Sequence, residues 1–289
     1  MSNVLLLRAP ATDGPDKYEA AFRAERYYPV CVPVLETVLV NGSELDETIR
    51  AGPEKTGLSG VIVTSARACE AWKEAVLRLV DGLSGSADWT GVPFYVVGKA
   101  TASALREIRE ATNDSRLAPV DIRGGAESGT SERLAHFILQ ELPQRDGPRK
   151  FLYLTGDKNR DVLPNILRDG GMELQSLQVY ATQGSTHFTS DLENVISSAP
   201  SEYKDWWIVF FAPSAAEFVT PILRKHFAIP NAESESFSTK IAAIGPTTQD
   251  FLRNKLQVRV DVVAPRPSPE ALVGDVQAFD AEEEHPRVY

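Results

Sequence analysis

Six short stretches of this chain share one chemistry. Arg8-Ala9-Pro10, Thr64-Ser65-Ala66-Arg67 and Gly98-Lys99-Ala100-Thr101 are three of them. The others are Thr155-Gly156-Asp157-Lys158-Asn159-Arg160, Ala212-Pro213-Ser214 and Gly245-Pro246-Thr247-Thr248. Most bring Gly, Ser or Thr to the start of an expected helix, with a base close by. A helix start offers free backbone N–H groups and partial positive charge, which suits a carboxylate or a phosphate. Ser and Thr are also favoured N-caps, and for one stretch alone the cap is the simpler reading. Repetition in both halves of the chain points instead to a ligand. The candidate contacts are Arg8, Thr64, Ser65, Arg67, Lys99 and Thr101, followed by Lys158, Arg160, Ser214, Thr247 and Thr248.

A further candidate is Tyr180, in the β-prone run Leu177-Gln178-Val179-Tyr180-Ala181-Thr182. The chain before this run reads as one α/β lobe, and the chain after it as another. Tyr180 therefore falls where a cleft and its ligand are expected. On this stretch alone a packing residue with a polar tip is the simpler reading.

Several chemistries lack their residues. No GxxxxGK[ST] loop is present and no GxGxxG follows a strand, so nucleotide cofactors have no usual cradle. His136, His187, His226 and His285 are scattered without ligand spacing, so no metal site is expected. No nucleophile elbow or Ser, His and acid constellation stands out. Cys31 and Cys69 both sit among apolar residues and read as buried free thiols.

The elements that must position these residues alternate between strand and helix, which implies parallel sheets with helices on both faces. Apolar strands are expected at Val4–Leu7, Gly60–Ser65, Phe94–Gly98 and Phe151–Gly156. The second half repeats the first. Trp207–Phe218 matches Val61–Trp72, Ile241–Leu252 matches Phe94–Leu105, and Val258–Pro269 matches Leu117–Leu134. The unit Phe151–Leu167 finds its counterpart only at the front, in Val4–Phe22. The N-terminal strand should then belong to the C-terminal lobe, with the chain crossing between lobes twice. The expected fold is two similar parallel-sheet α/β lobes joined by a two-stranded β-ladder hinge, with a cleft between them. Residues 1–35 and 184–278 form one lobe and 54–174 the other. Residues 36–53 and 175–183 are hinge strands and linkers, and 279–289 a solvated acidic tail.

The chain has 30 Lys and Arg against 40 Asp and Glu, a net charge of −10. A broad nucleic-acid surface would be basic, so nucleic acid is not an expected partner. No stretch approaches the roughly 20 apolar residues of a membrane span, and the apolar run in Met1–Arg8 is too short for a signal peptide. A cytoplasmic monomer is expected.

Taken together, Thr64-Ser65…Ala68, Val97-Gly98-x-x-Thr101, Leu154-x-Gly156-x-x-x-Arg160-Asp161-x-Leu163 and Val179-Tyr180 resemble the uroporphyrinogen-III synthase family. Phe211-x-Pro213-Ser214 and Ile244-Gly245-Pro246-Thr247-Thr248 complete the resemblance, which runs from Arg8 to about Leu272. It implies two α/β lobes joined by a two-stranded ladder. The activity implied is a cyclising hydro-lyase of haem biosynthesis. It closes the linear tetrapyrrole hydroxymethylbilane to uroporphyrinogen III, inverting the last pyrrole ring, without cofactor or metal. Tyr180 becomes the candidate proton donor to the departing hydroxyl, and the substrate's eight carboxylates match the repeated loops. Two positions depart from the family pattern. Ala212 stands where relatives often carry a hydroxyl residue, and Ala9 is inserted between Arg8 and Pro10. A non-catalytic two-lobed binding protein for a small polyanion is the alternative.

Overall fold

The computed structural model describes residues 2–80, 87–113, 115–142, 149–203, 205–231 and 239–284. The chain divides into two compact units, Met1–Glu36 with Gln183–Tyr289 (unit 1) and Thr37–Thr182 (unit 2).

From the N-terminus run β1 (Ser2–Leu7), α1 (Lys17–Ala24), β2 (Tyr28–Cys31), β3 (Leu35–Leu39) and α2 (Gly42–Thr56). There follow β4 (Leu58–Val63), α3 (Ala66–Val80), β5 (Phe94–Val96), α4 (Gly98–Ala111), β6 (Ile122–Arg123) and α5 (Ser131–Glu141). Next are β7 (Lys150–Thr155), α6 (Val162–Asp169), β8 (Glu173–Gln178), β9 (Tyr180–Gly184) and α7 (Phe188–Ser198). The chain continues with β10 (Asp205–Phe210), α8 (Pro213–His226), β11 (Thr239–Ala243), α9 (Pro246–Leu256), β12 (Val262–Val263) and α10 (Pro269–Glu284).

Each unit is built on a five-stranded sheet whose mapped pairings are parallel. The order is β12-β11-β10-β1-β2 in unit 1 and β6-β5-β4-β7-β8 in unit 2. Strand β1 thus takes in one sheet the place that β7 takes in the other, which is the permuted repeat seen in the sequence. Val4, Leu5, Leu6 and Leu7 are all buried, as are Val61, Ile62 and Val63. Continuous apolar runs of this kind suit parallel strands covered on both faces. Helix α3 shows how a layer docks. Ala68, Cys69, Ala71, Trp72, Ala75, Val76 and Leu79 form its buried face, at helical spacing. Trp72 lies edge-on to Trp89 and Phe94, with centroids 5.1 and 4.9 Å away, and its Nε1 donates to Leu117 O at 3.1 Å. The buried indole is therefore satisfied as well as packed.

Three features differ from the sequence reading. The run Leu177–Thr182 is not one strand. Leu177 and Gln178 pair with Leu154 and Thr155 in the unit 2 sheet, whereas Tyr180 begins β9, which pairs with β3 in a separate two-stranded sheet. Val179 divides them, its N–H bound to Thr155 O at 2.9 Å and its carbonyl accepting from Val40 N–H at 3.0 Å.

Residues 42–53, read as part of a linker, belong to α2, with Leu45 and Ile49 buried in the core beneath α3. Gly52 supplies the kink before Pro53 with φ 77°, a value that glycine adopts freely.

Ala281, Glu282 and Glu283 of the acidic run are exposed, but Asp280 is tied into the fold. Asp280 lies on α10, accepting from Tyr27 Oη at 2.7 Å, Trp207 Nε1 at 3.2 Å and Lys240 Nζ at 2.6 Å. Residues 232–238 and 285–289 lie outside the described residues.

Cys69 is buried and Cys31 partly so, and both are free. Burial pushes each thiol up to about 12, so both stay protonated. Among the described residues no helix is long and apolar enough to cross a membrane.

Candidate functional site

The polar groups of unit 2 converge at the carboxyl ends of β4 and β7, where ligands bind in open α/β sheets. Strand β4 ends at Val63, and Ser65 then starts α3 by accepting the Ala68 N–H on Oγ at 3.3 Å. Its proton is left for another acceptor and goes to Tyr180 Oη at 3.2 Å. Because that oxygen accepts from Ser65, the phenol's own proton is free to point elsewhere. The Arg67 guanidinium stands over the Tyr180 ring, 5.8 Å from its centroid.

Gly156, just past β7, makes room for the ring. A Cβ there would meet Tyr180 Cε2 and Cζ at 2.4 Å, a separation that no pair of carbons holds without something moving. The backbone on either side is fixed too. Gln178 Nε2 donates to Tyr180 O at 3.3 Å, and Thr182 N–H donates to Asp157 Oδ2 at 3.1 Å. Behind this group Tyr153 Oη donates to Asn159 Oδ1 at 3.0 Å, and the Thr64 hydroxyl bonds the same phenol. Burial pushes the Tyr153 phenol up, against the opposing effect of those two bonds. It is therefore a neutral strut rather than a source of charge.

The structure brings Thr64, Ser65, Arg67 and Tyr180 together. Lys158 and Arg160 lie exposed on the loop after β7, and Lys99 is exposed at the start of α4. Thr101 is nearly buried inside α4, at 6% exposure, with Cys69 Sγ against its carbonyl at 3.7 Å. Sequence reasoning does not single out Gly156, Asp157, Tyr153 or Asn159 as contacts. Gly156, Asp157 and Asn159 do sit in one of the six stretches, but Tyr153 reads from sequence as one more apolar strand residue.

In unit 1, Arg8 follows β1 and is already occupied. Its Nη1 pairs with Asp16 Oδ2 at 2.9 Å, and its guanidinium lies 5.1 and 5.5 Å from the ring centroids of Tyr18 and Phe211. Asp16 caps α1 by accepting from Tyr18 and Glu19 N–H, and also takes the Ala11 N–H. Burial works to raise its carboxyl, but three backbone N–H bonds and the Arg8 charge together hold it below the usual value.

Ser214 and Thr247 are exposed in the first turns of α8 and α9, while Thr248 is 3% exposed. Of the candidate hydroxyls, Ser65 alone acts as a helix cap among the described residues. Helices α4, α8 and α9 begin at Val97, Ala212 and Gly245 with no side-chain cap bond. The first N–H of α4, at Gly98, goes instead to Ser128 Oγ at 3.3 Å, and Pro213 and Pro246 bring none to α8 and α9, so the N–H groups that can face an anion are those that follow in each first turn. No group of three or more His, Cys, Asp or Glu among the described residues is placed to hold a metal.

Two parallel α/β sheets with uncapped helix starts, and a tyrosine held at the strand ends of one of them, define a class of protein built to hold an anionic small molecule. A family model described as Uroporphyrinogen-III synthase HemD matches residues 16–274. Uroporphyrinogen-III synthase of Schizosaccharomyces pombe is 30% identical over 282 residues, covering 98% of this chain and 99% of that protein. The Saccharomyces cerevisiae enzyme is 26% identical over 269 residues, covering 91% and 92%. A crystal structure of a mutant uroporphyrinogen III synthase from Thermus thermophilus is 20% identical, covering 98% of this chain and 99% of that one, with a TM-score of 0.42. On the family model and the yeast relatives, this chain belongs to the uroporphyrinogen-III synthase family, whose members are cyclising lyases of tetrapyrrole biosynthesis.

Proposed function

We propose that this chain converts hydroxymethylbilane to uroporphyrinogen III with Tyr180 as its proton donor, working as a cytoplasmic monomer without metal or cofactor. The observation that carries the tyrosine's role is its hydrogen bond from Ser65, which leaves the phenolic proton free, on a ring seated against Gly156.

That proton passes to the hydroxyl of the substrate's terminal hydroxymethyl group, which departs as water and leaves an electrophilic azafulvene. The substituted carbon of the last ring attacks it to give a spiro intermediate. Fragmentation and reclosure invert that ring, and a ring proton is lost to restore the pyrrole. Tyr180 can be reprotonated in that last step.

The remaining candidates hold carboxylates. In unit 2 these are Arg67, Lys99, Lys158 and Arg160, and in unit 1 Ser214 and Thr247 with the open N–H groups of α8 and α9. An acidic protein can bind a polyanion in this way because the donors are gathered locally, while the net charge is spread over the surface. Such positioning would supply most of the acceleration. A non-catalytic binding role is not favoured, since the relatives matched over nearly their whole length are synthases.

The test is to supply hydroxymethylbilane and identify the porphyrin isomer after oxidation. Type III with the protein and type I without it is the expected result. Type I in both would overturn the reading.

A further inference from the structure

A cavity of about 500 Å³ opens in unit 2 between α4 and the segment after β6. Its volume is that of a small-molecule site, and it shares only Lys99 with the contacts described above. One wall is a single face of α4, with Lys99, Ala102, Ser103 and Arg106 at i, i+3, i+4 and i+7. The opposite wall includes the Gly124-Gly125 backbone and Phe137. The walls meet at the base, where a Cβ on Gly125 would come within 2.8 Å of Ala102 Cβ. The result is a narrow slot with a base at each end. Seven residues of helix separate Lys99 from Arg106 by about 10 Å along the axis.

The charges fit an acidic occupant. Among the described residues neither Lys99 nor Arg106 has an ion pair, whereas Arg123 is held by Asp121 and by Glu141 at 3.1 Å. The two lining acids are already engaged, Glu141 by Arg123 and Glu127 by the Ala126 N–H at 3.1 Å, which leaves Lys99 and Arg106 as the bases for a ligand. The start of α4, whose Gly98 N–H donates to Ser128 Oγ at 3.3 Å, adds its partial positive charge beside Lys99.

We propose that this cavity is a subsite for one pyrrole ring of the linear tetrapyrrole. The ring rests over the floor where Ala102 meets Gly125, and its two acid arms reach Lys99 and Arg106. The assignment rests on the substrate proposed above.

The test uses porphobilinogen, a monopyrrole with one acetate and one propionate arm, and measures its binding to the full chain by calorimetry. Kinetics with hydroxymethylbilane run in parallel. Arg106→Glu should weaken porphobilinogen binding by about tenfold or more, the scale of one lost charge-assisted contact. It should raise KM by a similar factor with kcat unchanged, because only ground-state binding is removed. Arg106→Lys should recover most of both, and Ser103→Trp should block the slot and reproduce the loss. Succinate, two carboxylates without a ring, should bind more weakly than porphobilinogen. Equal binding of succinate would overturn the ring assignment. Unchanged porphobilinogen affinity and KM in both Arg106→Glu and Ser103→Trp, with type III product still made, would overturn the subsite and leave the enzyme reading standing. Absence of product from the unmodified chain would overturn the enzyme reading instead, and the porphobilinogen measurements would still decide the cavity.

Discussion

The two units are copies of one plan, and their strand-end chemistry has diverged. Register aligns them residue by residue. Val63 pairs with Leu154 and Val96 in one sheet, as Phe210 pairs with Leu7 and Ala243 in the other. Two residues past those paired positions, Ser65 of unit 2 corresponds to Ala212 of unit 1, and Gly156 corresponds to Ala9. The crossing strands correspond as well. Val179 O accepts from Val40 N–H at 3.0 Å, and Val34 O accepts from Ser185 N–H at 2.7 Å. Tyr180 therefore stands in β9 where Leu35 stands in β3, and Leu35 packs against the unit 1 core. Unit 2 keeps a hydroxyl, a glycine and a phenol at these three places. Unit 1 has apolar side chains there and spends its nearby base, Arg8, on Asp16. Both units retain the uncapped helix after the second strand, at Gly98 and Gly245. In the proposed mechanism carboxylate binding is thus shared between the copies, and the proton-donating chemistry belongs to one.

The largest effect that would separate the copies is at Tyr180. Tyr180→Phe should lower kcat by about 10²-fold with substrate affinity nearly unchanged, the scale of one deleted donor to developing charge. Leu35→Ala should affect stability alone. Steady-state rates and isomer ratios check both, and a fully active Tyr180→Phe enzyme would remove the asymmetry.

Next comes Asp16→Asn, which frees Arg8 and should cost about 2 kcal/mol in thermal or denaturant unfolding. The pH dependence has a definite sign. The folded carboxyl is held below its ordinary value of 3.8, so its contribution is complete above that value and disappears as the pH falls through the lower, folded one. Acid unfolding should therefore be steeper below the ordinary value in the unmodified chain than in Asp16→Asn. Equal slopes would mean that the pair does not stabilise unit 1.

Ser65→Ala should be milder. Loss of the cap costs about 1 kcal/mol, and loss of the bond that orients the phenol should lower kcat by about tenfold. A stability change without a rate change would make Ser65 a cap and nothing more. The smallest effect is Ala212→Ser, which gives α8 the cap that α3 has and should add about 0.5–1 kcal/mol to stability. Differential unfolding measurements resolve a change of that size. If activity falls as the cap forms, the open N–H groups of α8 are contacting substrate.

Much of this was legible in order and composition. Four consecutive apolar residues at Val4–Leu7 specify a strand buried on both faces, and matching Gly and Thr positions expose the repeat and its permutation. Local sequence carries such features because burial periodicity and turn chemistry are local. The candidate loops were legible for the same reason, as were the hydroxyls and bases on them. What each side chain does with its hydrogen bonds was decided only by the tertiary structure. Arg8 reads as a ligand contact until Asp16, eight residues on, is folded against it. Thr101 and Thr248 read as open hydroxyls until the helix turns them inward. Tyr153 reads as core until Asn159 and Thr64 reach its phenol. Tyr180 shows the division most plainly. Its type and its place on a crossing strand were in the sequence. Ser65, 115 residues away along the chain, bonds its phenol, and that pairing exists only once two sheet strands and a ladder strand have come together.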